Sequence, residues 1–261
     1  MQKIETELYQ DSASDIVVTR RDYADGDLFP MHSHRRGQFG YAACGVITVE
    51  TDAGNFAVPP LRAIWVPAQV PHAMHMRGPV TMLNAYLHPR AAERVGLSRH
   101  CQVLGVSALV RQLLERAVDV PAEYAAEGRD AHLMGLLLHE MALMPAQSLN
   151  APMPAEPRLA QACSAFLADP CLATGIDDMA ERAGMSRRTF TRQFRQHTGI
   201  SFLEWRQQAC LLAAVVRLGN GEAVTRVAME LGYSSPSAFS TVFKGALGEI
   251  PSRYFSAPLA G

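Results

Sequence analysis

The sequence predicts a two-domain α+β chain: an N-terminal β-barrel with helices after it, then an all-α half holding two copies of one helix, turn, helix unit. Three observations carry that prediction. Residues 16–87 hold short β-type runs at about ten-residue spacing, as in an all-β barrel or sandwich. Residues 145–157 carry four prolines and no apolar period, which reads as a semi-extended linker. Beyond them one helical pattern occurs twice. The predicted divisions are 1–144, 145–157 and 158–261.

The β-type runs are 16–19, 45–50, 55–58, 63–66 and 81–86, with Asp52-Ala53-Gly54-Asn55 as a turn between two of them. Residues 107–118 and 129–144 then read as helices. Their leucines, Leu109 with Leu113 and Leu133 with Leu136 and Leu137, recur at helical spacing. Such a stripe serves equally to pack on the barrel or to join two copies of the chain. Charges placed at Leu113 and Leu137 would test the second use.

After the linker every segment reads as helical. Residues 159–167 form a helix stopped by Asp169-Pro170, and 176–183 form another that ends at Gly184. Ser186 caps a helix that runs to about His197 and stops at Gly199. Ser201 with Glu204 makes a capping box for a long helix through Leu218. Residues 224–231, Gly232 and 236–246 then repeat the short helix, turn, helix order.

The repeat is specific in its spacing. Its first copy is Ala180-x-x-Ala183-Gly184-Met185-Ser186, then Phe190, Phe194 and Gly199. Its second is Ala228-x-x-Leu231-Gly232-Tyr233-Ser234, then Phe239, Phe243 and Gly248, with one extra residue before the first phenylalanine. Small residues let the two short helices cross closely, and the serine satisfies free N–H groups at the start of the second. Phe at i and i+4 puts two rings on one buried face. This is the layout of a helix-turn-helix, whose second helix enters the DNA major groove. With Phe190 and Phe194 inward, the outward face carries Arg188, Thr191, Arg192, Arg195 and Gln196, and no acid.

Charge is distributed to match. Residues 1–157 carry 13 Lys or Arg against 17 Asp or Glu, a net of −4, whereas residues 158–261 carry 11 against 8, a net of +3. Five arginines and one acid fall within 186–206. No apolar run approaches the roughly 20 residues that span a bilayer. The polar N-terminus lacks the apolar core of a secretory signal. Cys44, Cys101, Cys163, Cys171 and Cys210 are scattered, odd in number and without CxxC spacing, which reads as reduced thiols in a cytoplasmic protein.

Residues 158–258 resemble the DNA-binding domain of the AraC/XylS transcription regulators, on the two copies above and the closing Pro251-Ser-Arg-Tyr254. The resemblance implies that both second helices enter successive major grooves. It implies base contacts from Arg188, Thr191 and Arg192, and from Ser237, Ala238 and Thr241. Ser186, Arg187, Arg195, Gln196, Ser235 and Lys244 complete the expected DNA-binding set. The sequence departs from the family pattern at Ile250, where Ser or Thr is usual, and at Cys210, where a basic residue is common. Lys244 is the one charge of the second reading helix.

A second constellation lies in the N-terminal half: His32-Ser33-His34, Gln38, Gly45 and Pro67-Ala-Gln-Val-Pro-His72. Residues i and i+2 of a strand share a face, so His32 and His34 can converge, with Gln38 and His72 closing a set of four. The spacing resembles the two cupin motifs, in which three His and one Glu bind a divalent metal inside a small β-barrel. Here Gln38 replaces the Glu. Three imidazoles suit zinc, nickel or a similar ion, and the same groups suit an effector held by hydrogen bonds. Phe39, Tyr41 and Trp65 alternate with the motif and suit either the lining of the pocket or an apolar core.

Together the two halves predict a sequence-specific transcription regulator modulated by a small molecule or metal in a cupin-like barrel. The alternative is a cupin metalloenzyme, an oxygenase or isomerase with a helical appendage, although an enzyme has no use for the repeat. The expected partners are double-stranded DNA, the effector, a second copy of the chain and, for an activator, RNA polymerase; no membrane is expected.

Overall fold

The structure is a computed structural model and describes residues 7–147 and 149–255. Its elements begin α1 (Glu7–Gln10), β1 (Ile16–Tyr23), β2 (Leu28–His32), β3 (Gly37–Thr51), β4 (Gly54–Val58), β5 (Arg62–Val66), β6 (His72–Leu87), α2 (Pro89–Arg94) and β7 (Gln102–Gly105). They continue α3 (Ala108–Ala117), α4 (Arg129–Ala142), β8 (Ala146–Gln147), β9 (Asn150–Pro152), α5 (Pro157–Ala168) and α6 (Ile176–Arg182). They close with α7 (Arg187–Thr198), α8 (Phe202–Gly219), α9 (Val224–Glu230), α10 (Pro236–Leu247) and α11 (Pro251–Tyr254). Two compact units result. The first takes residues up to 49 and 58–147; the second takes 50–57 and the described residues from 149 onward. Among the described residues no helix is long and apolar enough to cross a membrane.

Each β-type run of the sequence falls inside a strand, but two strands are far longer than their runs: β3 has 15 residues and β6 has 16. In the first unit the hydrogen-bonded path is β1-β6-β3-β5-β7-β8, with β2 also on β6. The ladders β1–β6, β2–β6, β3–β5, β5–β7 and β7–β8 are antiparallel, and helices follow them, as the sequence predicts for this half. The long strands change partners part-way. The His72–His75 stretch of β6 lies opposite β2, and its Val80–Leu87 stretch lies opposite β1. Gly78, at φ 72°, sits between the two stretches. Gly45 does the same in β3 at φ 73°, and a Cβ there would stand 2.4 Å from the Pro79 carbonyl oxygen. Only glycine accepts both the left-handed backbone and that approach.

Strand alternation splits the sheet into two faces. One carries Ile16, Val18, Phe39, Tyr41, Trp65, Leu83 and Leu87, and it is covered by Val110 and Leu114 of α3 and Met134, Leu137, Leu138 and Met141 of α4. Burial of each such side chain contributes about 1.5–3 kcal/mol. Leu137 is thus core rather than an interface position, and Leu113 packs partly buried on the same cluster. Leu109 (48% exposed), Leu136 (47%) and Leu143 (73%) are the leucines of this region that face outward.

The second unit is helical apart from β4 and β9, which pair antiparallel. The predicted linker is therefore not plain extended chain: it holds β8 and β9, and its last residues start α5. Glu156 caps α5 by accepting from Leu159 N–H at 2.7 Å, and Pro157 takes the first helical position. The indole of Trp205 in α8 donates to the Pro152 carbonyl at 2.7 Å. Phe166, Phe190, Phe194, Phe202 and Trp205 form one ring cluster around the first repeat copy. Tyr233, Phe239, Phe243 and Tyr254 form another around the second.

Candidate functional site

Two places gather the residues singled out by sequence. The first is the pair α7 and α10. Ser186 caps α7 by accepting from Thr189 N–H at 3.3 Å, and Gly199 ends it in the left-handed region at φ 78°. Ser235 caps α10 by accepting from Ala238 N–H at 3.1 Å, and Gly248 ends it at φ 89°. The repeat motif set Ser234 opposite Ser186. The extra residue of the second copy passes the capping role to Ser235.

Burial of Phe190 and Phe194 turns the opposite face of α7 to solvent, so Arg187, Arg188, Thr191, Arg192, Arg195 and Gln196 are all exposed. Arg187 pairs with Asp177 at 2.9 Å; among the described residues no ion pair engages Arg188, Arg192 or Arg195. On α10, Ser237, Thr241 and Lys244 are exposed, Ala238 is half-buried, and no acid interrupts the face. Placing Phe190 on Phe239 and Phe194 on Phe243 sets Arg188 on Ser237, Arg192 on Thr241, Arg195 on Lys244 and Gln196 on Gly245.

The second place is in the sheet. One ring nitrogen from each of His32, His34 and His72 lies within 4.8 Å of the others. The three arrive from the end of β2, the turn before β3 and the start of β6, with His32 opposite His72 in the ladder. Each ring is oriented by a backbone carbonyl. His32 Nδ1 sits 2.8 Å from the Pro30 oxygen, His72 Nδ1 sits 2.9 Å from the Val70 oxygen, and His34 Nδ1 pairs with the Arg36 oxygen. A carbonyl only accepts, so Nδ1 holds the proton and the neutral ring keeps its lone pair on Nε2. Burial lowers the His34 pKa and takes that of His72 down to about 4, which keeps both rings neutral at pH 7. His72 Nε2 is buried without a hydrogen-bond partner.

Gln38 stands beside this trio rather than as a fourth member. Its amide lies 3.0 Å from His34 Nε2 and 2.7 Å from Asn84 Oδ1. With the His34 lone pair on Nε2, the Gln38 nitrogen is the atom that faces it, and Asn84 Nδ2 then faces the Gln38 oxygen. Sequence reasoning missed Asn84, and also Tyr86, whose ring centroid is 6.0 Å from that of His34. The available signal was a buried amide two positions from a tyrosine inside a β-type run. Phe39, Tyr41 and Trp65 do not line this site. Phe39 follows Gln38 directly and so points to the other face, and Trp65 is its cross-strand neighbour; all three belong to the core cluster on that face, where the Trp65 indole donates to the Ser98 carbonyl.

Comparison with known proteins follows this division. Residues 179–257 match the helix-turn-helix domain family, and residues 16–140 match the AraC-like ligand binding domain family. The HTH-type transcriptional regulator NimR of Escherichia coli is 32% identical over 227 residues, covering 87% of this chain and 82% of that protein. The chain belongs to the AraC family of transcription regulators. The arabinose operon regulatory protein of Escherichia coli is 29% identical over 138 residues, 49% of this chain and 46% of that protein. Among solved structures, the DNA-binding domain of AdpA in complex with a target DNA is 34% identical, covers 38% of this chain and 90% of its own, and has a TM-score of 0.36. ToxT of Vibrio cholerae O395 covers 92% of this chain and 97% of its own at 10% identity and a TM-score of 0.39. An AraC-family chain with a ligand-binding domain is a DNA-binding regulator and not an enzyme, so the metalloenzyme alternative falls.

Proposed function

We propose that this AraC-family regulator reads a specific duplex sequence through α7 and α10, and that a divalent metal ion such as zinc or nickel, bound by His32, His34 and His72, modulates that reading. What supports a metal is the donor set: three rings with each Nδ1 on a carbonyl and each Nε2 left as a lone pair. Carbonyl partners of this kind fix the tautomer of metal-ligating histidines. A buried, unpartnered His72 Nε2 is costly unless something occupies it. Holding the ion would tie β2, the turn before β3 and β6 together, and Gln38 would release His34 Nε2 to do so.

A small organic effector is the second reading. It rests on Asn84, whose buried amide keeps one polar atom without a hydrogen-bond partner beside Gln38. In either case the regulator acts in the cytoplasm on double-stranded DNA, as a dimer, with RNA polymerase as partner if it activates. Elemental analysis of untagged protein decides between the two effectors. Stoichiometric metal in the wild type and none in His32→Ala/His72→Ala supports the metal. No metal in either, after zinc, nickel and manganese are supplied separately, leaves the organic effector.

A further inference from the structure

The two reading helices are built alike and dressed differently. Both carry a serine cap, paired phenylalanines and a terminal glycine at equivalent places. At those equivalent places α7 offers Arg188, Arg192, Arg195 and Gln196, whereas α10 offers Ser237, Thr241, Lys244 and Gly245. Every long polar arm in the N-terminal half of α7 is thus replaced by a short side chain in α10. The first turns of a reading helix are the part that meets base edges.

The hydroxyls of α10 are also largely committed. Thr241 Oγ1 donates to the Ser237 carbonyl at 3.1 Å, Ser240 Oγ donates to the Pro236 carbonyl at 2.9 Å, and Ser235 Oγ accepts from Ala238 N–H. The bond to Ser237 fixes the Thr241 side chain and leaves its γ-methyl as the free group beside the Ala238 methyl. Short side chains let the helix backbone approach the groove floor closely, and beside the exposed Ser237 hydroxyl what it then presents is the methyls of Ala238 and Thr241. The major-groove feature that matches a methyl is the C5-methyl of thymine, whereas long guanidinium arms match guanine O6 and N7.

We infer that the two units read different chemistry: α7 reads guanine through its arginines, and α10 reads thymine methyls through Ala238 and Thr241. The inference rests on the proposed DNA reading and names the bases each unit takes. Three consequences follow. The preferred site is bipartite and unlike in its halves. Arg192→Ala erases information in the guanine half alone. Removing thymine methyls weakens binding in the other half alone.

The experiment selects duplexes from a random library with the full-length protein, then assigns each half by repeating the selection with Arg192→Ala. Thymines of the α10 half are next replaced by 2′-deoxyuridine, which lacks only the methyl. Affinity should fall about fourfold for each methyl in contact, the worth of one buried carbon. The same replacement should cost Thr241→Ser less, because that variant keeps the hydroxyl bond and has no γ-methyl. Uridine that binds as well as thymine, or an α10 half selected for guanine and cytosine, overturns the inference while the regulator still binds its site. A library from which no sequence is selected overturns the DNA reading as well.

Discussion

His72 shows how burial sets the chemistry of one side chain. Its ring is fully buried, its pKa is about 4, and His34 is lowered for the same reason, loss of water around the charged form. In the unfolded chain a histidine titrates near 6.5. Below that value the unfolded state binds the proton that the folded state refuses. Stability of the metal-free protein is therefore complete above about pH 6.5 and falls as pH drops toward 4, by at most about 3 kcal/mol for His72 at about 1.4 kcal/mol per pKa unit. Urea titrations at pH 7.5, 5.5 and 4.5 on wild type and His72→Gln check this. The variant should lose less stability on acidification, and equal losses would refute the assignment. At the DNA face, Arg192→Ala should cost about 1–3 kcal/mol of discrimination and Thr241→Ala clearly less, because a two-pronged charged contact outweighs one methyl or hydroxyl. Equal losses in a gel-shift titration against site variants would sink the claim that α7 dominates.

Helices α3 and α4 carry apolar residues on both faces, and which face does what was not readable from spacing. Leu137 lies under the sheet with no exposure, while Leu109 and Leu136 are about half exposed. Leu109→Glu/Leu136→Glu should leave the circular dichroism and melting temperature near wild type while shifting a micromolar dimer to monomer in sedimentation. Leu137→Glu should instead unfold the protein, since it buries an unpaired charge. A wild type that already sediments as a monomer at that concentration would remove the dimer proposal. The caps follow similar logic. Ser186→Ala removes the acceptor of Thr189 N–H and should lower stability by about 1 kcal/mol in thermal melts.

For the whole molecule the relevant quantity is charge placement. The chain is near neutral at −1, yet its reading faces present Arg187, Arg188, Arg192, Arg195 and Lys244 with no acid on either face. With Arg188 and Arg192 on base edges, three phosphate contacts per chain from Arg187, Arg195 and Lys244 would give a slope of about −2.7 in log affinity against log salt, or a loss of about fortyfold between about 50 and 200 mM. Titrations at four salt concentrations check it, and a slope near zero would mean that these cations do not meet phosphate. The two-unit architecture was legible because it rests on local signals: caps, glycines, paired phenylalanines and β-type runs each specify their own few residues. The change of partners along β3 and β6 was not. It turns on Gly45 and Gly78, which look in sequence like ordinary strand interruptions and act as the points where β3 and β6 change partners.

By itself the sequence determined the repeat in the C-terminal half, the arginines of α7 and the family, since each follows from residue type at fixed spacing along the chain, and it singled out His32, His34 and His72, which three separate segments bring together. Tertiary structure decided what depends on partners distant in the chain. It placed Phe39, Tyr41 and Trp65 in the core on the other face of the sheet rather than around the histidines, because one step along a strand reverses the face. It tied Gln38 to His34 and Asn84, and it chose Ser235 over Ser234 as the cap of α10. Cross-strand register and packing settle these matters, and neither is encoded by the residues of any single segment.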